Sequence, residues 1–503
     1  MTLLHIFIGL ASGSSGFHRD ECLDRVQSSL QNGSIANKSS IFYQDDSGPV
    51  STFDEPILTI AGCEQMCGKS FGMYKDVGPR LSTWLIPVFL LLSNMEVSPL
   101  DKRRYFMLAH LLGDPIDSLW SLLTKLEAWS RCRSMAAAFY CGNERCIRNT
   151  ATVLGGLEEL FGFYGNPFLI FQAVVEASNL SDDQIRGQIA RTSQKLADSR
   201  TDERLRTILA TVLYIYQLVS AFVTAVGGGN TSPPGGRIGI AMFMTWIIPP
   251  ILVSNAIGCF TSRRICYGIL DEFVRNVRSD TTLWREFRKA VPFPHHKTVE
   301  SYLESFAYSG AIYTYRPVKQ LPFRSPKGNR SPVLLLVFAI TPVLISSIVG
   351  TLILWHTPPI AINCRNLLVF SIIIFIFLSA FFTWATARLG LSDATHWYCV
   401  VVKDLCFSVP FVVLVFLATA GRFNTCFCWS GFYTLGTRAH IPLNPVADFI
   451  HFQHTFYPFL VSICLSLLIA TFIGVMWVGW GGWKTMRWSE KDLQLEWSHA
   501  QSR

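Results

Sequence analysis

Six apolar runs dominate the chain: 206–226, 238–260, 333–355, 367–388, 399–421 and 457–480. Each approaches or exceeds the roughly 20 residues that a helix needs to cross a hydrocarbon core. No water reaches backbone N–H and C=O groups inside a bilayer, so such runs must satisfy them internally, as helices. Three further runs, 81–97, 105–123 and 151–175, are shorter or more polar and extend the series. Over 503 residues the chain is 50% hydrophobic and 16% charged, against about 25% charge in a soluble protein. The expected fold is all-α, a polytopic membrane helical bundle of about nine transmembrane helices, within a range of seven to nine.

The polar segments orient that bundle. Residues 1–16, "MTLLHIFIGLASGSSG", have the short apolar core and small-residue flank of a signal peptide. Residues 17–80 form a small cysteine-bearing segment with Cys22, Cys63 and Cys67, and sequons at Asn32 and Asn37. Both features suit an oxidising lumenal or extracellular compartment. Lys and Arg stay on the cytoplasmic side of spans. The basic "DKRR" at 101–104 is therefore expected inside. The uncharged "GGGNTSPPGG" at 227–236, with a sequon at Asn230, is expected outside. Residues 261–332 hold thirteen Lys/Arg against six Asp/Glu and are expected inside, as is the tail 481–503 with Lys484 and Arg487. The expected order is a first helix group at 81–260, a basic loop at 261–332, a second group at 333–480 and a cytoplasmic tail. The membrane is ER-like or the plasma membrane.

Only an even number of crossings between Arg104 and Leu205 meets these constraints. Taking 105–123 and 151–175 both as spans gives nine helices, the favoured count; making both interfacial or re-entrant gives seven. Nine spans would put Cys132, Cys141 and Cys146 outside with Cys22, Cys63, Cys67, Cys364, Cys426 and Cys428. Disulfides are then expected there, in a pairing the sequence leaves open. Residues 176–204 mix six acids with five bases and read as a solvated helix, so the sequon at Asn179 is expected to be unused. An interfacial helix is expected near 281–290. The Pro- and Arg-rich stretch "RPVKQLPFRSPKGNRSP" suits a tether to anionic headgroups. "MWVGWGGWKTMRW" suits an aromatic belt.

The net charge of +8 follows from this loop bias, and no nucleic-acid partner is expected. The sequence shows no P-loop, dinucleotide fingerprint, nucleophile elbow or DDxxD run, so no cofactor is expected. Metal ligation is not expected either: His295–His296 are adjacent on a loop, and His451 and His454 lack a third ligand.

The chemistry-bearing stretch is "HLLGDPIDSLW", 110–120. On a continuous helix His110, Asp114 and Asp117 share one face. A carboxyl at that depth costs a few kcal/mol and must face the bundle interior. Clustered, buried carboxyls retain protons and become acids. The second reading makes Asp114 the cap of a helix that starts at Pro115, with a break at Gly113 and Asp117 in the first turn. The two readings are compatible. Glu158, beside Glu159, is the second intramembrane acid candidate. Glu96 and Glu127 are expected to be solvated at helix ends, and Lys403–Asp404 to form a structural pair near the inner surface. The abundant rings, 13% of residues, mostly build core and belt, although rings around a cavity also stabilise carbocations.

Four stretches, "CEQMCG" (63–68), "WLIPVFLLL" (84–92), "LLGDPIDSLWSLL" (111–123) and "TPPIAINCRNL" (357–367), resemble multi-pass proteins of filamentous fungi. Among those, the chain is similar to the membrane-bound terpene cyclases of meroterpenoid pathways. That resemblance implies a lipophilic isoprenoid substrate, cyclised by proton attack on a prenyl chain or its terminal epoxide. Asp114, Asp117, Glu158 and His110 are the residues on which such chemistry would be expected. A proton-coupled transporter or channel, and a membrane sensor or receptor, are the alternatives.

Overall fold

The computed structural model describes residues 18–68, 77–93, 104–139, 143–162, 166–201, 207–216, 236–290, 298–303, 331–389, 391, 393–444 and 455–488. The leader 1–16, Cys141, Asn230, His295–His296, the Pro- and Arg-rich stretch, Glu96, His451 and His454 lie outside them. The helices in chain order are α1 (Arg19–Gln31), α2 (Ile60–Cys67), α3 (Val77–Ser93), α4 (Arg104–Gly113), α5 (Pro115–Phe139), α6 (Glu144–Phe161), α7 (Pro167–Glu176) and α8 (Asp182–Asp198). They continue with α9 (Thr207–Tyr216), α10 (Gly236–Phe243), α11 (Ile248–Ile257), α12 (Arg263–Val277) and α13 (Leu283–Ala290). The last are α14 (Pro332–Trp355), α15 (Cys364–Arg388), α16 (Asp393–Ala420), α17 (Tyr457–Val478) and α18 (Trp480–Met486).

Among the described residues, five helical stretches are long and apolar enough to cross a membrane: Ile238–Ile257, Val333–Trp355, Cys364–Arg388, Thr395–Ala420 and Tyr457–Val478. The first joins α10 to α11 through a 3-10 turn and is enclosed by the others. The other four present large apolar side chains outward, among them Ile348, Phe381, Val409 and Ile473. An exposed belt of that extent is what lipid, rather than water, covers.

The bundle has two different ends. At one, the descending and ascending helices α14 and α15 meet, and the Tyr457 hydroxyl at the start of α17 donates to the His356 carbonyl, 3.0 Å away. Here Cys63–Cys426 and Cys364–Cys428 staple the N-terminal segment and the α16–α17 connection to α15, and Cys22–Cys67 closes α1 on α2. A short antiparallel pair, Ile57–Thr59 with His440–Pro442, adds to the join. Residues 18–68 thus belong to a lobe completed by a connection whose Cys426 lies 363 residues downstream of Cys63. Asn32 and Asn37 are exposed on it.

The opposite end carries the tail and a second layer of helices. There α6 packs on α5 and α8, and α8 on α12. The solvated helix expected in 176–204 is α8, which buries Ile185, Ile189 and Leu196 on one face. Gly156 lets α6 approach Leu196 and Leu270 closely: a Cβ there would sit 3.2 and 3.3 Å from their methyls. The helix expected near 281–290 is α13; Phe287 stacks with Phe161 at 4.3 Å between ring centres.

Two of the nine expected spans are not single helices. Run 105–123 is broken between α4 and α5. Phe106 packs on Trp397 (ring centres 5.5 Å apart), and a Cβ on Gly113 would meet the Asp404 carbonyl at 2.7 Å. Helix α4 therefore runs parallel to α16, inward from the tail end. Helix α5 returns to that end, where Leu126 and Ser130 lie against Gly479–Gly482. The pair is a helical hairpin, broken where Gly113-Asp114-Pro115 disfavours an unbroken helix. Run 151–175 is likewise split, with α6 ending at Phe161 and α7 starting at Pro167.

Cys132 on α5 and Cys146 on α6 lie towards the end where Glu144 bonds Lys484 of α18, and neither forms a disulfide. All six disulfide cysteines then cluster at one end of the described structure.

Candidate functional site

The break at Asp114 builds the site. Asp114 caps α5: its Oδ1 accepts from the Asp117 backbone N–H at 3.1 Å, with Pro115 at the first helical position. Such a cap contributes about 1 kcal/mol. Both readings of Asp114 hold, because its other oxygen faces charge. Oδ2 accepts from Lys403 Nζ at 2.7 Å and from the Thr383 hydroxyl at 2.6 Å. Lys403 also donates to Ser379 Oγ (2.9 Å) and Thr383 Oγ1 (2.7 Å), and its Nζ lies 2.8 Å from Asp404 Oδ1.

His110 extends the cluster. It is one turn before Asp114 on α4, and its Nδ1 is 2.8 Å from Asp404 Oδ2. Its Nε2 is 3.2 Å from Asp117 Oδ2. Asp117–His110–Asp404–Lys403–Asp114 is thus one continuous chain of acid and base contacts. It joins α4 and α5 to α16, with hydroxyls from α15. The side chains of His110 and Asp114 are 0% exposed and Asp404 is 1%, while Asp117 keeps 14%. Asp117 is thus the most exposed acid of the chain, and Lys403, at 9%, is the other member that is not fully enclosed. Lys403 lies ten residues into α16, about 15 Å along it at 1.5 Å per residue.

Glu158 is not part of this cluster. It sits near the end of α6 with Glu159, on the far side of α5's second half. Lys125 Nζ lies 2.5 Å from Glu159 Oε1, to which the Trp129 indole N–H also donates at 3.2 Å. Arg131 donates to Glu127 at 3.0 Å and lies within electrostatic reach of Glu158. The Arg200 guanidinium stacks over Trp129 at 4.8 Å. Glu127 is buried rather than solvated, because α5 runs through the protein instead of ending at its surface.

Four members of the site were not singled out for this role by sequence reasoning. Lys403 and Asp404 join the cluster instead of forming an isolated pair near the surface. Ser379 and Thr383 went unread, although a polar pair at i and i+4 in an apolar run was a usable signal. Among the described residues no group of three His, Cys, Asp or Glu side chains is placed to hold a metal.

No family model, curated protein or solved structure matches this chain. Its function has to be argued from the cluster itself.

Proposed function

We propose that this chain is an integral membrane protein that binds and relays protons through the His110–Asp114–Asp117–Lys403–Asp404 cluster, as a proton-coupled transporter or channel does. The carrying observation is a charge imbalance. Three carboxyls face one Lys and one His. With every group ionised the site keeps one negative charge too many, and an unpaired charge in an apolar bundle costs several kcal/mol. A proton shared among the carboxyls restores neutrality. Asp117, with its exposed edge, is the entry, and His110 passes the proton to Asp404.

In this reading the disulfide lobe faces the lumen or exterior, with Asn32 and Asn37 open to glycosylation, and the tail end faces the cytoplasm. The five long helices, α3 and the run that begins with α9 make seven crossings, with α4–α5 re-entrant. Cys132 and Cys146 then lie in the reducing compartment, as their lack of a disulfide suits.

The test is proton flux into vesicles of purified full-length protein carrying an enclosed pH dye. The native protein is expected to carry protons faster than empty vesicles, and Asp404→Asn to abolish the difference while remaining folded. Equal flux from native and Asp404→Asn protein contradicts the proposal. One observation keeps a second reading open: Asp117 is the acid that a lipophilic chain in the bilayer would reach. If the protein is a terpene cyclase acting on an isoprenoid, it converts a farnesylated phenol epoxide to a cyclic product, and Asp117→Asn does not.

A further inference from the structure

The enclosed span Ile238–Ile257 is interrupted at its centre, where α10 gives way to the 3-10 turn Met244–Ile247 before α11. Pro249 and Pro250 stand in the first turn of α11. A helical carbonyl accepts from the N–H three or four residues ahead. For Trp246 those two positions are the prolines, which carry no N–H, so the helix ladder leaves its carbonyl unmatched. The nearby Ile248 N–H is already used by the Thr245 carbonyl. The Trp246 side chain is 0% exposed, and among the described residues no group accepts from its indole N–H. Buried polar groups are almost always paired, so both atoms of Trp246 call for a partner.

A third such group stands on the facing helix. Thr245 Oγ1 and Ser346 Oγ of α14 are hydrogen-bonded at 2.9 Å. Ser347, the next residue of α14, is 5% exposed, and its hydroxyl has no partner among the described residues. The two segments run antiparallel, because Gly239 lies against Gly350 and Leu354 while Thr245 reaches Ser346. One step forward on each of two antiparallel right-handed helices turns to the same side of their contact. Trp246 and Ser347 therefore share one flank of it. There the Trp246 ring meets Phe411 of α16, 6.4 Å away between centres. Phe411 stands about two helical turns beyond Asp404. Phe243, Met244 and Ile247 are buried around the break.

The mixture of groups selects the ligand. An indole N–H needs an acceptor and a carbonyl needs a donor. An anion would be repelled by the carbonyl and a cation by the N–H. A hydroxyl accepts and donates at once, so it suits both. Irregular backbone at membrane depth is tolerated where it lines a site of this kind.

We infer that the break at 244–250 is a binding site for a neutral hydroxyl group, which accepts from the Trp246 indole N–H and donates to the carbonyl that the two prolines leave unmatched, with the Ser347 hydroxyl beside it. The alcohol of a lipophilic molecule and an internal water share that chemistry. The site is separate from the acid cluster and does not rest on how that cluster works.

The test is nuclear magnetic resonance of the full-length protein in neutral detergent, with the tryptophan indoles labelled with nitrogen-15. Dodecanol and dodecyl methyl ether are the probes, and Trp246→Phe assigns the resonance by deleting it. The Trp246 indole proton is expected to move downfield with dodecanol and not with the ether, which accepts but cannot donate. Pro250→Ala supplies an N–H to the Trp246 carbonyl, so it should weaken the dodecanol response about fivefold, the worth of one ordinary hydrogen bond. Ser347→Ala should weaken it as well. Both variants keep Trp246, so the test survives if Trp246→Phe does not fold. A proton already downfield, unmoved by dodecanol and cross-relaxing with water, would keep the hydroxyl site and assign it to water. An indole proton at its unbonded position that ignores dodecanol overturns the inference. So does an equal response to the two probes, or a dodecanol response unchanged by Pro250→Ala and Ser347→Ala.

Discussion

At its first turn α5 presents Asp114 and Asp117 to Lys403, Asp404 and His110. About 16 Å further along the same helix it presents Lys125, Glu127 and Arg131 to Glu158 and Glu159, with Arg200 alongside. Both networks are buried, and both tie α5 to its neighbours. Their charge differs. The second balances three cations against three carboxylates. The first sets three carboxyls against two bases. A balanced network can stay fully ionised, and its role is to fix the packing of α5 on α6. An unbalanced one must take up or release a proton to remain in an apolar setting, so its charge state is free to carry function.

Breaking the balance is expected to have the largest effect. Lys125→Met strands Glu159 without its ion-pair partner in a fully buried site, a change that costs about 3–5 kcal/mol. Thermal unfolding in detergent should show it, and Lys125→Met/Glu159→Leu should recover most of the loss. A single substitution as mild as a surface change would mean the pair is not buried as described. Next is Gly113→Ala, which places a methyl against the Asp404 carbonyl and pushes α4 off α16. Overpacking of this kind costs about 1–3 kcal/mol. It should also slow proton flux, because it separates His110 from Asp404. Stability lost with flux intact would detach the relay from the helix contact.

The difference between the networks was only partly legible in the sequence. The apolar runs identified the five long apolar helices because length and composition suffice for that. Gly113-Asp114-Pro115 carried both a cap and a buried acid, and both are present. Nothing local, however, brings Lys403 to Asp114 across 289 positions; that contact depends on α4 running parallel to α16. For the same reason nothing local told that Glu158 stands apart from this cluster. An acid in a moderately apolar run looks alike whether the helix crosses lipid or packs on a second layer, and only its partners, Arg131 and the neighbours of Lys125, tell the two apart. Charge bias likewise fixes the parity of crossings and not their number, so it left the side of 132–146 to the count chosen.

The smallest expected effect is at the tail. Bonds from Lys484 and Arg133 hold the Glu144 carboxyl below the usual carboxylate range. Its folded value is lower than its unfolded one. The contribution is therefore present above the ordinary carboxylate pKa and is lost as pH falls through the lowered value. Proteolytic release of the tail should rise over that acidic window in the native protein and show no such step in Glu144→Gln. Because Glu144 is largely exposed, global stability should barely move.

The most direct test of the imbalance is infrared spectroscopy of the purified protein in lipid at neutral pH, which detects the carbonyl stretch of a protonated carboxyl. The account predicts such a band in the native protein and its disappearance in Asp114→Asn and in Asp117→Asn, since removing one acid leaves two carboxylates balanced by two bases. A native spectrum without the band, or a band unchanged by either replacement, would contradict it.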